Sequence, residues 1–292
     1  MSHRFRLAHL SDPHLTDPRP RLRQLCSKRL LGWLSWRLRR RREHRPEVLA
    51  ALVADLRRQA PDHTVVTGDL TQIGLPHECR EAAAWLASLG PPAQVSVIPG
   101  NHDRYVTENE ADTVARWAPY CQGGRFPFVK ILGPVRLIGL DSAPPTAPFL
   151  ATGALGAAQC RRLETLLAET QGCRIVAIHH PPHPEAAKAR KRLTDRDRLL
   201  AALRRHGCEL LLHGHTHHWQ LHWLEGPAGP IPCLGVPSAS ALGRRRGYRA
   251  RYHLYDIEAA ADGWRIAVEI RGLDPASGTF RHEGGFQLHC RN

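Results

Sequence analysis

Five short polar segments, each closing an apolar run, constrain this chain more than any other feature. They are Asp12-Pro13-His14, Gly68-Asp69, Gly100-Asn101-His102-Asp103, His179-His180-Pro181-Pro182 and Gly214-His215-Thr216-His217. The runs before them are Phe5–Leu10, Thr64–Val66, Val95–Ile98, Ile175–Ile178 and Leu210–Leu212. Short apolar, β-branched runs bounded by Gly, Pro or Asp read as buried strands. Open α/β sheets bind ligands at the carboxyl ends of their strands. The pattern predicts an α/β fold that gathers five distant segments at one edge of one sheet.

Helical periodicity marks 46–59, 77–89, 155–169 and 195–206, and Pro46 suits a first helical turn. Further strands are expected at 135–140, 252–257 and 264–270. The Pro-rich stretch 142–153 reads as an excursion and Gly226–Pro232 as a turn region. No repeat or composition shift marks a second domain. The expected organisation is one domain over 1–271, with a basic insert at about 17–45 and a polar, Gly-rich, loosely held tail over 272–292.

The 292 residues suffice for one large core. No run approaches the ~18 apolar residues of a membrane-spanning helix. The first strand begins near Arg4, which leaves no room for a signal peptide. The eight cysteines are scattered without a CxxC pair and are expected to be reduced. These features predict a cytoplasmic protein, peripheral at the inner membrane face if the insert binds lipid.

The net charge of +14 is concentrated. Residues 19–45 hold 11 Arg or Lys against Glu43 alone. Two smaller clusters follow, Lys188 with Arg190–Arg192 and Arg244–Arg246 with Arg249 and Arg251. Each lies close after a polar motif or its adjoining strand, which points to an anionic substrate or surface. In the insert, Ser27 is placed to cap a helix from Lys28 to about Arg42, with Leu30, Leu31, Trp33, Leu34 and Leu38 in one arc. Such a helix fits docking of residues 27–42 on an anionic membrane, with Leu30, Trp33 and Leu34 in the interface and Arg39, Arg40 and Arg42 on phosphates. A solvated helix face is the plainer reading. Nucleic-acid binding is a third, without a recognised module to support it.

The motif residues mix imidazole, carboxylate and amide oxygen, a donor set suited to Mn, Fe or Zn. Two divalent ions can clamp the attacking and leaving oxygens of a phosphoryl group and make hydroxide available near neutral pH. Holding them together needs a bridging anion, and Asp69 is the natural one. The five motifs, in order, resemble the DxH, GD, GNH[DE], His and GHxH pattern of the calcineurin-like metallophosphoesterases. The resemblance spans 12–217 and implies a four-layer αββα sandwich, with two mixed sheets flanked by helices. It implies one metal on Asp12, His14, Asp69 and His217 and another on Asp69, Asn101, His179 and His215. It further implies that His102 faces the leaving group and that Asp103 orients His102. His180 is left between a supporting and a substrate-contacting role, and Asp141 is a candidate support. His9, His213 and His218 read as structural or surface residues.

Within the family, the GNHD and HHPP wording is closest to cyclic-nucleotide phosphodiesterases, which implies a nucleotide-type or other anionic phosphodiester. The insert keeps an alternative open, a membrane-surface lipid pyrophosphatase or phosphodiesterase similar to UDP-diacylglucosamine hydrolases. A nuclease and a metal-free scaffold are the lesser readings.

Overall fold

The computed structural model describes residues 4–15, 17–107, 113–243 and 247–291, so Arg244, Arg245 and Arg246 of the third basic cluster lie outside the described residues. Strands β1 (Phe5–Leu10), β2 (His63–Val66) and β3 (Val95–Val97) alternate with helices α4 (Pro46–Gln59) and α5 (Pro76–Leu89). Short helices α1 (Leu22–Leu25), α2 (Arg29–Ser35) and α3 (Arg41–Glu43) form the insert between β1 and α4. Hairpin β4 (Phe128–Leu132)–β5 (Val135–Gly139) then leads to α6 (Ala157–Glu169), β6 (Cys173–Ala177), α7 (Arg196–His206) and β7 (Leu210–His213). The chain ends in β8 (Gln220–Leu224), β9 (Ile231–Gly235), β10 (Arg251–Ala260), β11 (Gly263–Leu273) and β12 (Phe280–Arg291).

These strands make two six-stranded mixed sheets, ordered β12-β11-β10-β1-β2-β3 and β4-β5-β6-β7-β9-β8. The motif strands therefore split between two sheets, which corrects the expectation of a single sheet edge. Strands β1, β2 and β3 run parallel in the first sheet, and β5, β6, β7 and β9 run parallel in the second. Strand-end logic holds within each sheet, but an apolar run does not encode which sheet it joins. Alternation along β6 shows how the layers form. Cys173, Ile175 and Ala177 join the main core, which contains strands of both sheets, while Val176 packs with Leu163, Leu167, Leu199 and Leu203 of α6 and α7. Helices α4 and α5 bury Leu49, Leu52, Leu56, Ala82 and Leu86 in the main core. The fold is thus two mixed sheets flanked by helices.

The segment after Gly272 is not loosely held. Phe280–Arg291 pairs antiparallel with β11 from Gly263 to Leu273 and is the outer strand of the first sheet. Its buried residues, Phe280, Leu288 and Cys290, lie an even number of positions apart, a period-two pattern masked by the Gly and charged residues between them. All eight cysteines are unpaired, as expected from their spacing.

Asp55 ties α4 to the first sheet. Its buried carboxylate accepts bonds from Tyr252 Oη at 2.7 Å, Arg271 Nη2 at 3.0 Å and Arg58 Nη2 at 2.9 Å. Burial opposes its ionisation, but Arg271 and Tyr252 outweigh that and hold its pKa below the usual carboxylate value. Asp55→Ala is expected to cost about 3 kcal/mol in urea unfolding at pH 7, because Arg271 and Tyr252 lose a buried partner. A group with a depressed folded pKa stabilises above its unfolded value of about 3.9 and loses that stabilisation as pH falls through the folded value. The gap between wild type and variant should therefore narrow below about pH 4.

Candidate metal centre

Three of the five motifs leave their strands through strained turns. Asp12 (φ 52°), His14 (φ 44°), Asp69 (φ 55°), His215 (φ 70°) and His217 (φ 55°) all have left-handed backbones. Among the described residues only Ala60, Gln122 and Phe149 are other non-glycine residues with positive φ. Such strain costs about 1–3 kcal/mol per residue and persists where surrounding bonds over-determine it. Those bonds are present: Asp12 N donates to Gly68 O at 3.0 Å, His14 N to Asp69 O at 3.1 Å, and Gly214 N to His179 O at 3.2 Å. The motif glycines permit this crowding. A Cβ on Gly68 would lie 2.7 Å from both Gly100 N and His179 Nδ1, and one on Gly214 would strike Ser11 and Asp12.

The turns bring all seven sequence-chosen ligand candidates together. Ligand atoms of Asp12, His14, Asp69 and His217 lie within 4.8 Å of one another, and so do those of His179, His180 and His215. An Asp69 oxygen spans the two groups, 4.0 Å from His14 Nε2 and 3.4 Å from His179 Nε2. Asn101 Oδ1 is 3.3 Å from His179 Nε2, and His217 Nε2 is 3.1 Å from Asp12 Oδ1. His14 Nδ1 donates to Thr71 O at 3.0 Å and His179 Nδ1 to Thr67 O at 2.7 Å. A histidine that gives one N–H to a backbone carbonyl has its other nitrogen set for a metal.

The donor chemistry fits cations. His14 Nε2 presents a lone pair 3.2 Å from His217 Nε2. Buried Asp12 Oδ1 and His180 Nε2 have no hydrogen-bond partner. Burial and neighbouring imidazoles push the His14 and His215 pKa values well down, so these rings are neutral and ready to ligate. Burial opposes charge on His179, but Asp69 outweighs it and raises its pKa to about 9, so a proton occupies a place a cation can take.

The structure corrects the role expected of Asp103. Its carboxylate accepts from Thr71 N at 2.9 Å and Gly100 N at 2.9 Å and makes no bond to the His102 ring. It clamps the loop carrying His102 instead, and Thr71 Oγ1 continues that clamp to His102 O at 2.8 Å. Asp141 pairs with Arg104 at 3.0 Å and so steadies the same loop from the second sheet. His180 Nδ1 bonds Ser142 Oγ at 2.9 Å, and its ring lies 4.4 Å from that of His215, which places it in the ligand group itself. His9 is a buried structural residue on Thr67, and His218 packs on Tyr248.

Two site residues escaped the sequence reading, and both come from the insert. The expected continuous helix is interrupted by a π-helical turn over Trp36–Arg40. Such turns re-aim side chains and recur at functional sites. Arg40 Nη1 lies 3.0 Å from His102 Nδ1, a nitrogen that also faces Gln72 O. That nitrogen can accept from Arg40 or donate to Gln72, but not both. Arg40 as donor leaves the proton on Nε2. His44 packs 4.5 Å from the His14 ring, held by Ser240 Oγ at 3.0 Å from its Nδ1, and forms a third possible ligand group with His14 and His217. Arg40 and His44 stand four residues apart, a spacing that signals a shared helix face but not what the face meets. Removing His44 by His44→Ala is expected to weaken metal binding at least about tenfold by equilibrium dialysis, the scale of a lost ligand or ligand support.

The family model for calcineurin-like phosphoesterases matches residues 5–219. A protein of Synechococcus sp. named a probable cyclic nucleotide phosphodiesterase is 30% identical over 227 residues, covering 75% of this chain and 80% of that one. A Rhodococcus erythropolis protein of the same name is 29% identical over 231 residues, 73% of this chain and 64% of that one. Among solved structures, a dimetal phosphatase from Danio rerio superposes with a TM-score of 0.61 at 13% identity, covering 98% of this chain and 99% of that one. A purple acid phosphatase from yellow lupin seeds gives 0.61 at 13% identity, with 98% and 54% covered. At that identity the two structures speak to the fold.

Proposed function

This chain belongs to the calcineurin-like phosphoesterase family, and from that premise we propose that it hydrolyses phosphodiesters at a centre of two divalent ions, Mn, Fe or Zn. Asp12, His14, Asp69 and His217 would hold one ion, and Asp69, Asn101, His179 and His215 the other. The observation that carries this reading is the buried Asp69 oxygen within reach of both ligand groups. Bound there, the ions would supply Lewis acidity at the phosphoryl oxygens and hydroxide near neutral pH. The remaining work falls to the chain. With Arg40 donating to its Nδ1, His102 would carry its proton on Nε2 and offer a hydrogen bond to the departing oxygen. Asp103 keeps its loop in register through Thr71 and Gly100. A nucleotide-type diester is the favoured substrate, because both curated relatives carry that name. The test is metal-reconstituted protein assayed with bis(p-nitrophenyl) phosphate and cyclic AMP. Elemental analysis should find about two transition metals per chain, and chelation should abolish activity until metal is returned. Full activity in metal-free protein would overturn the proposal.

A second reading, action at a membrane surface, is favoured by a row of exposed leucines on the insert. Leu30, Leu34 and Leu38 are 40%, 39% and 66% exposed and lie four residues apart. Trp33 does not share this row: it packs on the domain against Ile73, Leu75 and Tyr105. Arg40 also turns inward, which removes two of the six residues expected at an interface. In this reading Leu34→Glu with Leu38→Glu should abolish co-sedimentation with anionic liposomes. Equal sedimentation of variant and parent would leave the insert a solvated face.

A further inference from the structure

Beside the proposed ligands lies a cleft of about 250 Å³ that reaches Asn101 and His102 at its floor. Four cationic side chains line it, Lys28, Arg40, Arg190 and Lys191, and no carboxylate does. They come from the insert and from the loop after β6, so two distant segments contribute one charge sign to one wall. Among the described residues, none of the four is paired with a carboxylate. Lys28 spends its donors on Thr146 Oγ1 at 2.7 Å and Leu150 O at 2.9 Å and lies 4.7 Å from the Tyr105 ring centre. Among the described residues Arg40 hydrogen-bonds through its side chain to His102 Nδ1. Lys191 offers its backbone carbonyl to His215 Nε2 at 2.9 Å, which fixes its position beside a proposed ligand.

Lys28, Arg40 and Lys191 are half-buried and Arg190 is exposed, and gathering half-buried cations without counter-charge is costly. Burial lowers the pKa of Lys28 and Arg40. Asp69 and Asp12 favour the charge of both Arg40 and Lys191, and Tyr105 and Glu78 favour that of Arg40 as well. Asp69 and Asp12 would be committed to metal ions in the working site, and Glu78 is committed to the N–H groups of Gln72, Ile73 and Leu75, so no carboxylate lining the cleft answers its cations. A scissile phosphodiester carries a single negative charge, which would be spent at the ions that Asp12, Asp69 and the ligand histidines would hold. It leaves the cleft cations unanswered.

We infer that this cleft is a second-phosphate subsite, and that the substrate is a phosphate ester carrying a further phosphate group on the substituent lying over Asn101 and His102. The inference rests on the phosphodiesterase reading above and narrows its substrate class. Arg40 offers a planar pair of donors for that phosphate, while Lys28 and Lys191 act as point charges. Leu31 and Phe149 also line the cleft and are exposed, so an apolar or aromatic group can pack on them.

The experiment uses metal-loaded protein and two matched esters, the p-nitrophenyl esters of adenosine 5′-monophosphate and adenosine 5′-diphosphate, with products separated by chromatography. The diphosphate ester should show a KM lower on the order of 10- to 100-fold, the scale of one or two charge-assisted hydrogen bonds. Lys191→Met and Lys28→Met should each reduce that KM ratio, and the double variant should bring it near one, with metal content retained. Arg40→Lys should restore less of the preference than wild type, because the planar fork is lost. Hydrolysis of both esters with equal KM would overturn the subsite and leave the phosphodiesterase reading standing. A preference that survives in the double variant would overturn it as well. Failure to cleave either ester would overturn both.

Discussion

Asp69→Ala is expected to reduce bound metal from about two ions per chain to one or fewer and to lower kcat/KM by at least about 10³-fold. Two doubly charged ions ~4 Å apart repel by on the order of 10 kcal/mol even at an effective dielectric of about 20. Only an anion within reach of both can offset that, and Asp69 supplies it between His14 and His179. The same carboxylate accepts from His102 N at 2.7 Å, so its loss also loosens the loop that carries His102. Elemental analysis beside steady-state kinetics checks the result, with circular dichroism to show that the chain is folded. A folded variant that keeps both ions and its rate would remove the bridge from the account.

His102→Ala should do the opposite to metal and still slow the enzyme. His102 is absent from every ligand group that the structure brings together, so metal content should match wild type. Burial, with Arg40 beside it, lowers its pKa to about 3, so the ring is neutral across the working range. A neutral ring with its proton on Nε2 can still donate toward a departing oxygen. The rate should fall on the order of 10²–10⁴-fold for poor leaving groups and less for nitrophenolate, which needs no proton. If metal content falls as far as in His179→Ala, His102 is a ligand and its assignment here is wrong.

Helices α4, α5, α6 and α7 were legible to within two residues at each end, whereas α1 and the break in the insert were not. Pro46 and Pro76 open α4 and α5 at first-turn positions, and the apolar spacing runs their full lengths. Strands β4, β8, β9 and β12 were not legible. β8 is half-polar, β9 contains Pro232, and β12 hides its period-two pattern among Gly and charged residues. β4, β8 and β12 are edge strands, whose apolar signal is weak because they need bury only one face. β9 is an inner, fully buried strand, and there Pro232 beside a Gly- and Pro-rich turn masks the signal.

The site divides along the same line. Asp12, His14, Asp69, Asn101, His179, His215 and His217 could be picked out in the chain because each lies in a short polar segment closing an apolar run and because the five segments together resemble the metallophosphoesterase pattern. Local sequence determines such turns, down to the glycines that let Gly68 and Gly214 pass beside neighbouring ligands. Tertiary structure decided the rest. It set β6 and β7 in a second sheet facing the first, moved Asp103 from the His102 ring to Thr71, and folded the insert so that Arg40 and His44 enter the centre. A strand end announces itself through local backbone preference and hydrophobic period. Which side chains meet across two sheets and a π-helical turn depends on packing between segments that share no local signal.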